Sequence, residues 1–180
     1  MSATRESIQA VHRNGGTPAR TKVVTWEDPV PHAIAGRGMR GIDYLRKIAA
    51  GEVPAPPISR LMGFTVVEAG DGHAVFEVTP GEEHYNPIGV VHGGLAATLL
   101  DSAMGVAVHA TLGPGDGYTT LEIKVNFVRP MTRDTGLVRA IGDVVHVGRR
   151  TATAEARLED ATGKLLAHAT STCLIMRAEE

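Results

Sequence analysis

Apolar residues recur at two periods along this chain, and the change between them divides it. Over 41–50, Ile42, Leu45 and Ile48/Ala49 fall at helical spacing, with Gly51 and Pro54 as stop signals. The proline-rich run 56–63 reads as a connection with room for one more short turn of helix. From Phe64 the period shortens to two. Stretches 64–69 and 73–79 read as strands, and Gly70-Asp-Gly72 between them predicts a hairpin. Residues 93–110 form a long helix, apolar over most of its circumference through Leu95, Ala96, Leu99, Leu100, Ala103, Val106 and Ala107. Such a helix has to be buried, which predicts a sheet wrapped round it. Gly113-Pro-Gly-Asp-Gly117 ends the helix, and four further strands follow over 118–128, 135–147, 149–158 and 165–176. The order predicts one α+β domain over 41–180, a long central helix against a curved, largely antiparallel sheet of about six strands, with a short leading helix.

Residues 1–40 fit no such pattern. They carry Gly15-Gly16, three prolines and weak periodicity, and read as an extension without a core of its own. Six basic side chains against three acidic ones give this stretch a local charge of +3. Val23-Val24-Thr25-Trp26 is its expected anchor, since the single Trp of the chain is costly to leave in solvent.

Composition narrows the class. With 180 residues, 43% of them hydrophobic, the chain is long enough for one proper core. The net charge of −2 offers no bulk attraction to nucleic acid or to an anionic membrane. A lone cysteine, Cys173, forms no internal disulfide, and no apolar run reaches the roughly 18 residues of a membrane span. The first residues lack the apolar core of a secretory signal, so a cytoplasmic location is expected. The histidines show no metal-ligand spacing backed by acids or thiols, and neither a metal nor a separate cofactor is expected.

Chemistry concentrates at the mouth of the long helix. Asn86, His92, Gly93 and Gly94 crowd its start, and Asp101 is the only acid between Glu83 and Asp116. A helix opening at Gly93 presents unpaired N–H groups and a positive dipole end, suited to an anion or to the oxyanion of an attacked carbonyl. Asp101 lies among Leu99, Leu100, Ala103 and Met104, company in which a carboxylate is rarely left without a task. Eight residues of helix separate it from Gly93, roughly 12 Å along the axis, whereas groups acting on one carbon must converge within roughly 3 Å. Two copies running antiparallel across a two-fold axis bring each mouth to the middle of its mate, which points to a homodimer with shared sites. Plainer roles stay open: Asn86 before Pro87 forms turns, His92 caps helices, and the glycines permit close packing.

The ordered set Asn-Pro-x-Gly-x-Val-His-Gly-Gly over 86–94, the acid nine residues after His92, and Thr120-Leu-Glu-Ile-Lys-Val-Asn-Phe-Val-Arg-Pro130 resembles the hotdog-fold acyl-CoA thioesterases, most closely the phenylacetic-acid-degradation type. The resemblance spans about 55–176. It implies hydrolysis of an aryl- or medium-chain acyl-CoA, with Asp101 as nucleophile or general base and the Gly93 amide as oxyanion donor. It implies that His92 and Asn86 hold the carbonyl or the water, that Thr120 supports the water or the carboxylate, and that the chain forms dimers or tetramers. Arg149 and Arg150, after Gly148, are candidates for the CoA phosphates; a solvated turn is the alternative. Two other functions share the fold class, a non-catalytic acyl-CoA sensor and a hydratase. A sensor needs a DNA-binding segment that 1–40 does not supply, and the acid–histidine spacing expected of a hydratase is absent.

Overall fold

The structure is a computed structural model that describes residues 18–178. Its elements are α1 (Pro29–Arg37), α2 (Gly41–Ala49), α3 (Pro57–Met62), β1 (Thr65–Gly70), β2 (His73–Val78), α4 (Gly93–Ala110), β3 (Gly117–Phe127), β4 (Val138–Val147), β5 (Thr151–Asp160) and β6 (Leu165–Met176), with short 3₁₀ turns at Glu82–His84 and Arg133–Thr135. The six strands form one antiparallel sheet in the order β1-β2-β4-β5-β6-β3. Helix α4 lies across it, chiefly on β2, β4 and β5. This is the long helix on a six-stranded antiparallel sheet expected from the alternation of periods, and the hotdog architecture that the family resemblance implies.

Leu95, Leu99, Leu100, Met104 and Val108 of α4 are fully enclosed and meet Val138 and Leu158 of the sheet. Each such side chain removed from water contributes about 1.5–3 kcal/mol. Gly142 on β4 sets the closeness of the fit: a Cβ there would lie 2.5 Å from the Ala103 carbonyl carbon. At the far end, the Gly41 N–H that opens α2 donates to the Leu112 carbonyl at 3.0 Å, and Ile42 and Leu45 pack on Ala110.

Two sequence boundaries shift for local reasons. The strand expected from 135 starts at Val138 because Arg133–Thr135 closes a turn capped by the Thr132 hydroxyl. The strand expected from 149 starts at Thr151, since the Gly148 N–H donates back to the Thr151 carbonyl at 2.8 Å and closes the hairpin. The stretch read as a patternless extension contains α1, started by the Asp28 carboxylate accepting from the Val30 N–H at 3.0 Å and by Pro29. Only Gly36 of that helix is buried. Trp26 is 60% exposed, so the expected anchor is not made within one chain. Residues 1–17 of the extension lie outside the described residues. No helix among the described residues is long and apolar enough to cross a membrane.

Adding a methyl at Gly142 forces α4 away from β4. Gly142→Ala is expected to lower unfolding free energy by about 1–3 kcal/mol, read from urea denaturation. An unchanged midpoint would contradict the close helix–sheet contact.

Candidate active site

The loop before α4 is held rigid by its own backbone and by one asparagine. Tyr85 bridges Val91, the Val91 N–H donates to the Met131 carbonyl at 2.9 Å, and the His92 N–H donates to the His84 carbonyl at 2.7 Å. The Asn86 side-chain oxygen accepts from the N–H groups of Ile88 (3.1 Å) and Val90 (3.3 Å). Gly89 turns the loop with φ of 83°. The Asn86 oxygen is therefore committed to the loop, and its NH₂ group remains as the donor available to a ligand. His84, in the same loop, is structural: its Nδ1 accepts from the Gly81 N–H, so Nε2 carries the proton and donates to the Met62 carbonyl at 3.1 Å.

His92 caps α4, its Nδ1 accepting from the Gly94 N–H at 2.8 Å. That bond places the proton of the neutral ring on Nε2, at the solvent side. The Leu95 N–H returns to the His92 carbonyl at 3.0 Å. The Gly93 N–H has no partner among the described residues, so one first-turn donor points outward at the positive end of the helix. Any side chain at 93 would close this mouth, because a Cβ there would sit 3.1 Å from the Phe127 ring. Gly93 opens onto a mainly apolar cleft of about 450 Å³, bounded by Phe127, Arg129, Met131, Leu158 and Leu166.

Asp101 sits two turns further along α4 and is half-buried. The Thr120 hydroxyl on β3 donates to its Oδ1 at 3.0 Å, which leaves the second oxygen free to act. A bulge just beyond Thr120 breaks the β3–β6 register. The structure thus assembles two half-sites. His92 and Gly93 form the mouth, Asn86 ties the loop that leads into it, and Asp101 meets Thr120 in mid-helix; the continuous α4 holds the two halves apart. Arg149 and Arg150 lie at the end of the sheet marked by Thr151 and Met176, opposite the end marked by Phe127, Leu158 and Ala167 where Gly93 opens. Both are exposed, and neither makes an ion pair among the described residues. No group of three or more His, Cys, Asp or Glu that could hold a metal occurs among them either.

Sequence reasoning missed two neighbours of Asp101. Cys173 pairs with Thr120 across β3 and β6. Burial pushes its thiol up; hydrogen bonds from Ser171 and Thr120 oppose this and the Asp101 charge reinforces it, so the thiol stays neutral. Tyr118 is likewise pushed far above the usual phenol range by burial, with Cys173 and Asp101 adding to the effect. The alternation that pairs Tyr118 with Thr120 was legible, but the face it served was not.

The chain is similar to known proteins in sequence and fold. The thioesterase superfamily model matches residues 88–167. Human acyl-coenzyme A thioesterase 13 is 31% identical over 130 residues, covering 71% of this chain and 91% of its own. A 1,4-dihydroxy-2-naphthoyl-CoA hydrolase of Listeria monocytogenes is 28% identical over 109 residues, covering 61% of this chain and 87% of its own. Among solved structures, the phenylacetic acid degradation-related protein of Ralstonia eutropha superposes with a TM-score of 0.66 at 29% identity, over 73% of this chain and 98% of its own. The chain belongs to the thioesterase superfamily of hotdog-fold enzymes. Its class is that of the thioester hydrolases.

Near the other end of α4, burial holds the His109 imidazole below its usual range, which favours the neutral ring in the folded state. The folded value lies under the ordinary 6.5, so unfolding takes up a proton in acid. This stabilisation is complete above about pH 6.5 and is lost as pH falls. His109→Leu is expected to flatten the fall of the denaturation midpoint between about pH 7 and 5. An acid limb as steep as in the wild type would show that other groups set it.

Proposed function

We propose that the protein hydrolyses an aryl- or medium-chain acyl-CoA to free CoA and the carboxylic acid, in a site shared by two protomers of a homodimer. The observation that carries this reading is the pair of half-sites on α4, each lacking what the other holds. An antiparallel second α4 would set the Gly93 mouth of one protomer against the Asp101–Thr120 pair of its partner.

Three features support the pairing. β3 is an edge strand of eleven residues with a free outer edge. Leu121 (58%) and Phe127 (59%) stand exposed on it. Beside it runs the half-buried stripe of α4, made largely of small residues: Gly94, Ala97, Thr98, Asp101 and Ser102. Small side chains permit close helix approach, and burying this surface removes an apolar patch from water.

In this reading the thioester carbonyl oxygen meets the unpaired Gly93 N–H and the helix dipole, which stabilise the charge that develops on it. The free Asp101 oxygen takes a proton from water as the water attacks the carbonyl carbon, while Thr120 holds the carboxylate in place. Direct attack by the carboxylate would instead give a mixed anhydride, which water then opens. Either way the C–S bond breaks, the thiolate leaves as CoA, and the acid is released. The His92 Nε2–H and the Asn86 NH₂ flank the mouth, suited to orient the carbonyl or the water. Arg149 and Arg150 lie far from their own mouth, so in the antiparallel pair they serve the partner's, gripping the CoA phosphates.

Asp101→Asn is expected to reduce kcat by about 10²–10⁴ with little change in KM or thermal stability, assayed by released thiol on aryl- and alkyl-CoA thioesters. Undiminished turnover would remove Asp101 from the mechanism. Mixing inactive His92→Ala with inactive Asp101→Asn protomers at equal amounts should restore about a quarter of wild-type activity, since each hybrid dimer regains one intact site. No recovery despite proven subunit exchange would refute shared sites.

A further inference from the structure

Past Asp101, α4 leads towards a second apolar chamber, and two packed rings stand between them, Tyr118 on the Asp101 side and His109 on the chamber side. Tyr118 lies two residues before Thr120 on β3, so both face the helix. Thr120 meets Asp101; Tyr118 meets Gly105, one turn further on. The ring fits only because position 105 has no side chain: a Cβ there would lie 2.8 Å from the Tyr118 hydroxyl. On its other side, Tyr118 packs against His109, with ring centroids 5.6 Å apart.

His109 is also a wall of the chamber, a cavity of about 220 Å³ under α1 and α2. Tyr44, Leu45, Ile48, Pro57 and Val106 are among its other walls. At its rim the Glu27 carboxylate and the His32 ring stand 3.7 Å apart. The order along the helix is therefore Asp101, Tyr118 over Gly105, His109, then open apolar space.

Resting on the thioesterase reading above and narrowing its acyl range, we propose that Tyr118 is the floor of the acyl pocket and confines the substrate to aryl groups or to chains at the short end of that range, with the chamber behind it shut off. A carbonyl beside Asp101 has one helical turn, about 5.4 Å, before its substituent reaches the phenol ring. That length takes one aromatic ring or roughly four methylenes. The chamber offers an extended chain the same kind of wall, but the ring blocks the way to it. Tyr118 thus decides which thioesters fit, while the carboxylate and the helix mouth decide that they are cleaved.

The test is kcat/KM across a series from acetyl-CoA to dodecanoyl-CoA, with benzoyl-CoA and phenylacetyl-CoA included, for wild type and three variants. Wild type is expected to favour the aryl and short esters and to fall off beyond hexanoyl-CoA. Tyr118→Ala should move the optimum to decanoyl- or dodecanoyl-CoA, raising kcat/KM for these at least about tenfold. Tyr118→Leu, less disruptive to the core, should shift it in the same direction by less. Tyr118→Phe should keep the wild-type optimum, because ring volume and not the hydroxyl sets the floor. An unmoved optimum in a folded, active Tyr118→Ala or Tyr118→Leu enzyme would overturn the inference and leave the thioesterase reading standing. Failure of the wild type to cleave any acyl-CoA would take down that reading, and the inference with it.

Discussion

Ten of the eighteen residues of α4 are buried, and the other eight are all half-buried. A helix this apolar has no stable place in water, so the sheet must curl round it, and the strand order follows from which faces remain to be covered. The half-buried residues do not scatter. Gly94, Ala97, Thr98, Asp101, Ser102 and His109 recur at three- and four-residue intervals, so they form one stripe beside the free edge of β3. The burial that holds the fold together therefore also leaves a single seam where polar groups can remain on the helix. Candidate chemistry sits on that seam.

Capping divides the donors of the helix mouth between stability and chemistry. Four N–H groups begin any helix without intrahelical partners. Here the imidazole of His92 takes that of Gly94 and the His92 carbonyl takes that of Leu95. These two bonds anchor the first turn and leave the Gly93 donor fixed in direction but unused. Preorganisation of this kind lets an amide stabilise developing charge without reorienting during reaction. Asn86 follows the same division, its oxygen spent on the loop and its nitrogen spare. A side-chain carbonyl fixed by two backbone donors does not flip readily, so the NH₂ group is held in one orientation.

Much of this was readable from residue types alone. The limits of α4 match the stretch from Gly93 to Ala110, because Gly-Gly at one end and a Gly/Pro run at the other leave no room for error. The candidate residues Asn86, His92, Gly93 and Asp101 stood out as local signals, a turn former, a cap, a missing side chain and an isolated acid, whereas Thr120 looks like any strand residue and came only from the family resemblance. Helix α1 was not, since its start depends on one carboxylate cap and a proline, and it buries only Gly36. Tyr118 and Cys173 escaped because their meaning lies in cross-strand register and in contact with α4, long-range facts that a periodicity of two does not encode. Trp26 is a similar case: its apolar ring argues for an anchor, and nothing local says whether the surface that takes it belongs to the same chain or to a neighbour.

The polar end of a CoA ester and its acyl end make opposite demands, and a two-fold arrangement of α4 reconciles them. Within one chain, Arg149 and Arg150 stand at the wrong end of the sheet for the Gly93 mouth, beside the β3 start where Tyr118 lies. The proposed antiparallel pairing would reverse that relation, carrying each mouth towards the partner's arginines. The thioester carbon would then lie where helix dipole, carboxylate and hydroxyl meet, with phosphates drawn outward to cations and the acyl group inward along α4. On this account Tyr118, inside the segment matched by the family model, sets the depth open to the acyl group, while α1 and α2, outside that segment, enclose the chamber behind it. Thioester cleavage can stay constant while the N-terminal helices and the residue over Gly105 alter what is cleaved.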